Sequence, residues 1–159
     1  MTPVSHALLP VFFGQKLISH RDGIPAFREV FIVAFCGALP DILSPHLSLE
    51  SRYTALSHTV YAAAIFIALI GIASIFSRLF RRLSILCILA YVGHIACDMI
   101  SGGVALFYPQ RIHVYGDAYM PHWLWITSDG LLLLYIYLAY RWLPLRRKIK
   151  LIKHQSPTR

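Results

Sequence analysis

The stretch from Ser57 to Ser77, SHTVYAAAIFIALIGIASIFS, contains no Asp, Glu, Lys or Arg. It matches the roughly 20 apolar residues that a helix needs to cross a bilayer. Such a run leaves few folds open. In hydrocarbon the backbone must satisfy its own polar groups, and a helix does this within one segment. Three further apolar segments follow the same logic: Leu83–Ile100, Pro25–Leu43 and Pro121–Leu145. Pro25 and Pro121 each suit the first turn of a helix, where a missing N–H costs nothing. A fifth segment, Thr2–Ser19, is short and interrupted by Pro10 and Gly14; it either crosses or lies partly embedded. The expected fold is all-α, a polytopic membrane helix bundle with four to five transmembrane helices. Residues 1–145 form the membrane-embedded domain and residues 146–159 a basic cytoplasmic tail.

Composition agrees. Hydrophobic residues make up 57% of the 159 and charged residues 14%, against about a quarter charged in a soluble domain. The net charge of +8 would suggest nucleic acid in a soluble chain. Here the basic residues sit at segment ends and in the tail, where topology accounts for them. No aromatic platform is interleaved with the tail's charges, so no nucleic-acid partner is expected. Cys36, Cys87 and Cys97 lie in apolar runs without CxxC spacing and read as packing residues. No basic n-region with a small-residue cleavage site precedes the first polar break, so no cleavable signal peptide is expected.

Arg78, Arg81 and Arg82 fall between two apolar segments, Arg146, Arg147, Lys148, Lys150 and Lys153 follow the last, and Lys16, Arg21 and Arg28 surround the first break. Alternating crossings put all three groups on one side, the cytoplasmic side by the positive-inside rule. Only Arg52 and Arg111 fall opposite. The C-terminus is then cytoplasmic.

The polar residues inside the spans gather on the other side. His6, Asp41, His58, His94, Asp98, His122 and Asp129 all map to the outer ends, with His46 in the loop after Asp41. His94 and Asp98 are four apart, which stacks them on one helix face. Ionisable groups inside a span cost several kcal/mol or more and point by default to function. The blander readings are a helix–helix hydrogen-bonding pair for His94 and Asp98, and a turn or cap for Asp41. His20, His113 and His154 read as solvated, and Trp123 and Trp125 as an interfacial belt. Imidazole and carboxylate donors without thiolates suit a divalent ion: zinc first, with manganese or iron also possible. A carboxylate not used as a ligand could act as general base. Neither a Gly-x-Ser-x-Gly elbow nor HExxH is present, so no serine hydrolase or zincin is supported.

Three blocks, GALPDILSPH (37–46), SRYTALSHT (51–59) and YVGHIACDMISGGVALFYP (91–109), carry a resemblance. With the early His6 they resemble the successive motifs of the YdjM-like family of bacterial inner-membrane proteins, described as metal-dependent hydrolases. The resemblance covers most of residues 1–110. It implies metal ligands at His6, Asp41, His58, His94 and Asp98, a functional Arg52, and framework roles for Gly102 or Gly103 and Pro109. Two positions depart: Leu43 stands where the family often has a second Asp, and Ser51 where it often has His. Either one ligand is missing or His46 supplies it.

The expected function is hydrolysis of a lipid ester or lipid phosphoester at the periplasmic face. Asp41 and Arg52 are its catalytic candidates, and Arg52 suits a bidentate phosphate clamp. The partners are then the bilayer and a lipid-like substrate. The alternative is a non-catalytic metal-binding membrane scaffold or a metal carrier. A carrier needs access from both sides, and the inner ends show no comparable polar cluster.

Overall fold

The computed structural model describes residues 3–18, 20–21, 24–44, 53–119, 121–142 and 145. Within them the chain is helical: α1 (Pro3–Phe13), α2 (Phe27–Leu43), α3 (Val60–Phe76), α4 (Arg78–Ile100) and α5 (His122–Tyr137). A 3-10 turn, Leu56–His58, leads into α3, and a π-turn, Leu138–Trp142, follows α5. A two-residue antiparallel pairing joins His20–Arg21 to Ile24–Pro25. Pro25 therefore lies before α2, which starts at Phe27, and does not form its first turn.

Much of the exterior is apolar, and the interior combines an apolar core with a set of buried polar groups. Phe31, Ile65, Leu69, Ile72 and Leu131 are among many large hydrophobics more than half exposed, while His6, Glu29, His58, His94 and Asp98 are buried. A soluble monomer rarely shows contiguous apolar surface on this scale. Two stretches are long and apolar enough to cross a membrane: Arg78–Ile100 and Trp123–Trp142. Val4–Phe13 and Val60–Phe76 are apolar but shorter. The 17 residues of α2 or α3 extend about 25 Å, just under the roughly 30 Å hydrocarbon core.

The central helix is α4, which packs against α1, α2 and α3. Its buried face, Leu83, Leu86, Cys87, Ala90, Tyr91 and Ile95, meets Val11 of α1, Val33 and Cys36 of α2, and Phe66 and Ile70 of α3. Phe66 stacks on Tyr91 with ring centroids 4.4 Å apart. α5 packs on α1, where Ser5 donates a hydrogen bond to Asp129. Asp129 thus makes a helix–helix contact.

The junction of α3 and α4 is a single residue, Ser77, whose hydroxyl accepts from the Phe80 N–H. Arg78, Arg81 and Arg82 are therefore the first turns of α4 and not a connecting loop. Arg81 donates to the carbonyls of Ser74 and Ile75, 3.1 and 3.2 Å away. Those last-turn carbonyls have no partner within their own helix. Arg82 pairs with Glu29 of α2, which neutralises a buried carboxylate. At the opposite end α4 stops at Ile100. Gly103 takes φ +87° and its N–H bonds to the Asp98 carbonyl at 3.0 Å. That left-handed step suits glycine and holds Asp98 in an ordered last turn. Residues 101–119 then double back, with Val104 bridged to Tyr115 and the Leu106 carbonyl accepting from the Val60 N–H.

Candidate metal centre

Three elements deliver four donors to one point. Asp41 comes from the last turn of α2, His58 from the 3-10 turn before α3, and His94 and Asp98 from successive turns of α4. His58, His94 and Asp98 are almost fully buried, and the Asp41 side chain is 15% exposed. His58 Nε2 and His94 Nε2 are 3.2 Å apart. Asp98 Oδ2 lies 3.2 Å from the first and 3.3 Å from the second. Asp41 Oδ1 lies 3.4 Å from each. All four donor atoms fall within 4.8 Å of one another, and the group is able to hold a metal ion.

The surrounding hydrogen bonds decide which nitrogens face inward. His94 Nδ1 is 2.7 Å from the Gly37 carbonyl, which can only accept, so Nδ1 carries the proton. Ser57 Oγ donates to the Pro40 carbonyl at 2.7 Å. Its lone pairs are left for His58 Nδ1, 3.0 Å away, which therefore donates. In both neutral rings Nε2 then presents a lone pair to the centre. With both rings neutral, two imidazole lone pairs and two carboxylate oxygens converge without a proton between them. Protonating both rings would set two N–H groups head to head at 3.2 Å. With both rings neutral the cluster carries a charge of −2, which a divalent cation balances. Donor set, tautomers and charge therefore fit a divalent ion, and each His–acceptor pairing is the usual way of orienting a metal-binding imidazole.

Tyr91 donates to the Ser57 carbonyl at 2.6 Å and so fixes the turn carrying His58. Thr59 Oγ1 accepts from the Ala62 N–H at 3.2 Å, which caps α3 immediately after that turn. Ser57, Tyr91 and the Gly37 carbonyl are positioning groups that motif reading passes over. Ser57 adjoins His58, and Tyr91 lies three residues before His94 on the same face; that spacing was a usable signal. A backbone carbonyl leaves none.

The other expected site residues fall as follows. His6 of α1 is buried, with Nε2 3.1 Å from Asp98 Oδ1, and its ring lies against His94, centroids 3.8 Å apart and planes tilted by 30°. It touches the cluster but is not one of the four converging donors. Arg52, Ser51 and His46 lie outside the described residues. Tyr53 donates to the Gly102 carbonyl at 2.9 Å, which ties the segment after Arg52 to the end of α4. His113 is exposed, with its ring edge on Tyr115. Trp123 is 65% exposed but Trp125 only 8%, so of the expected belt pair Trp125 turns inward.

No curated protein and no solved structure matches the chain. The family of the YdjM inner membrane protein matches residues 1–153. With that match over nearly the whole length, on a helical bundle with a largely apolar exterior, the chain belongs to the YdjM inner membrane protein family.

Proposed function

We propose that this protein is a membrane-embedded, metal-dependent hydrolase acting on a lipid ester or lipid phosphoester at the periplasmic face. The observation that carries the reading is the convergence of four N and O donors on one point. Zinc is the ion of choice. A tetrahedral zinc with bonds of about 2.0–2.1 Å spaces its donors by about 3.3–3.4 Å; five of the six donor pairs measure 3.2–3.4 Å, and the sixth, Asp41 to Asp98, lies within 4.8 Å. Manganese is the second choice. When bound, such an ion supplies Lewis acidity toward an ester or phosphoester oxygen and lowers the pKa of water.

The chain's own residues divide the remaining work. His58, His94 and Asp98 are the buried, fixed donors. Asp41 is the partly exposed one and the natural position to yield to substrate, since catalytic zinc sites keep three protein ligands and an exchangeable fourth. An Asp41 carboxylate not bound to the ion would be able to take a proton from water. Arg52, one residue before the Tyr53 that anchors to Gly102, holds the negative charge of a phosphate group. His6 orients Asp98 and completes the site. A second reading, a metal-binding scaffold, is favoured by the number of protein donors, since four within 4.8 Å of one another match the ligand count of structural sites.

The test uses purified protein loaded with zinc or manganese, in detergent, against phospholipids and polyprenyl phosphates. Turnover should require metal. Arg52→Ala and Asp41→Asn should each lower turnover by about 10²-fold or more, the scale of losing a general base or a charge-stabilising group. Metal content should survive in Arg52→Ala. Folded, metal-loaded protein that turns over no lipid would favour the scaffold.

The reading places four to five helices across the membrane, with the cluster outside and the C-terminus inside. It is supported by the arginines of α4, which lie about 24 Å of helix from Asp98, counting sixteen residues from Arg82. Cysteines introduced at Ser51 and Gln110 should label in intact spheroplasts with a membrane-impermeant maleimide. Labelling only after the membrane is broken would reverse the orientation.

A further inference from the structure

A cavity of about 420 Å³ lies between α1 and α4, within the roughly 300–1,000 Å³ usual for small-ligand sites. At one end it is lined by His6, His94 and Cys97, at the other by Leu17 and Leu86. It thus begins at the candidate metal centre and runs toward the arginine end of α4. The wall between is apolar, with Leu9, Phe13 and Leu89 among its residues. Phe13, Leu17 and Leu89 are each more than half exposed, so the cavity opens sideways along the helices, on the apolar surface of the protein. Leu86 and Cys97 are eleven residues apart, or about 16 Å of helix. At about 1.2 Å per bond in an extended chain, that is the reach of roughly thirteen bonds.

We infer that this groove holds a single hydrocarbon chain of the substrate, entering from the membrane, with its ester or phosphate head at the His6–His94 end. The inference rests on the hydrolase reading and names its substrate class: an amphiphile with one chain of about a dozen carbons or more in contact with the protein. Three observations select a hydrocarbon chain. The lining is apolar except at the one end where polar donors cluster. The shape is long and follows a helix that is itself able to span a membrane. The opening is lateral, so a chain can slide in without leaving hydrocarbon, and a water-soluble substrate gains nothing from it.

Gly93 lines the groove one residue before His94, and a Cβ added there meets no atom within 4 Å. The space at this position is therefore open, and a large side chain can occupy it without displacing backbone. Gly93→Phe should block the groove while leaving the four donors in place. Leu89→Trp, one turn away at the exposed rim, is the second obstructing variant.

The experiment uses zinc-loaded full-length protein in detergent with two photoreactive probes, a diazirine-bearing dodecyl phosphate and the matching headless dodecane. The phosphate probe should insert at Leu86, Leu89 and neighbouring groove residues, and chelation of the metal should weaken this. In Gly93→Phe and Leu89→Trp, groove labelling should fall by about tenfold or more, the loss expected from displacing two methylenes, at unchanged metal content. Groove labelling without hydrolysis of any dodecyl ester supports the chain site and removes only the hydrolase reading. The groove assignment is overturned if the phosphate probe labels Phe31, Ile65 and Leu131 as strongly as the groove. Equal groove labelling by the headless probe, or labelling indifferent to both variants, overturns it too.

Discussion

Asp98→Asn is expected to strip the divalent ion while leaving the helix bundle assembled. Asparagine keeps the shape of the side chain and its oxygen still accepts from His6, which stands 3.1 Å from Oδ1. What it removes is charge. The cluster falls from −2 to −1 against a +2 ion, and with the amide oxygen kept toward His6 the oxygen now 3.2–3.3 Å from both His Nε2 atoms becomes an NH2 group, which is no metal ligand. Structural zinc sites are worth about 10–16 kcal/mol over four ligands, so one ligand carries about 3–4 kcal/mol, or several-hundredfold in affinity. Elemental analysis of purified wild type and variant measures this directly. Melting curves add the linked effect: chelator should lower the wild-type Tm and leave the variant's nearly unchanged, because only bound ion stabilises the fold by mass action. Full metal occupancy in folded Asp98→Asn would show that Asp98 is a helix-packing residue and that the ion sits elsewhere.

Much of this arrangement is legible in the residues alone, and what is not legible has identifiable causes. The i, i+4 spacing of His94 and Asp98 is a local property, so their shared face follows from helix geometry. The gathering of Asp41, His58, His94 and Asp98 at one level follows from alternating crossings, which need only segment order. Depth is harder. α4 starts at Arg78, several residues before the apolar run, because its arginines are satisfied by α3 carbonyls and by Glu29. Hydropathy counts such residues as loop, since it does not see partners. Trp125 turns inward for a similar reason: helical phase, not composition, decides which of two tryptophans faces out. His6 resembles a ligand by position, yet it meets Asp98 through the carboxylate's far oxygen. Which oxygen a residue reaches depends on the α1–α4 crossing and cannot be read from spacing.

That crossing leads to Gly37. It is the residue through which α1, α2 and α4 meet. Its carbonyl fixes the His94 tautomer at 2.7 Å. A Cβ built on it would stand 2.2 Å from the backbone oxygen of His6 and 3.3 Å from the Pro10 side chain. Backbone cannot swing aside as a side chain can, so Gly37→Ala must push α1 away from α2. Overpacking of this kind costs about 1–3 kcal/mol and occasionally more. In a helix interior the same change would otherwise gain about 1 kcal/mol of propensity, so the clash decides the sign. Two losses should appear together. The melting temperature should fall, because the α1–α2 contact is broken. Metal affinity should fall by about 10–100-fold, the usual scale for a disturbed partner behind a ligand, since both the His94 acceptor and the His6–Asp98 contact move. Gly71→Ala is the control, because a Cβ there meets nothing within 4 Å and should leave metal binding unchanged. A Gly37→Ala protein that melts and binds metal like the wild type would mean that α1 does not press on α2 at this point. The position of His6 beside Asp98 would then need another cause.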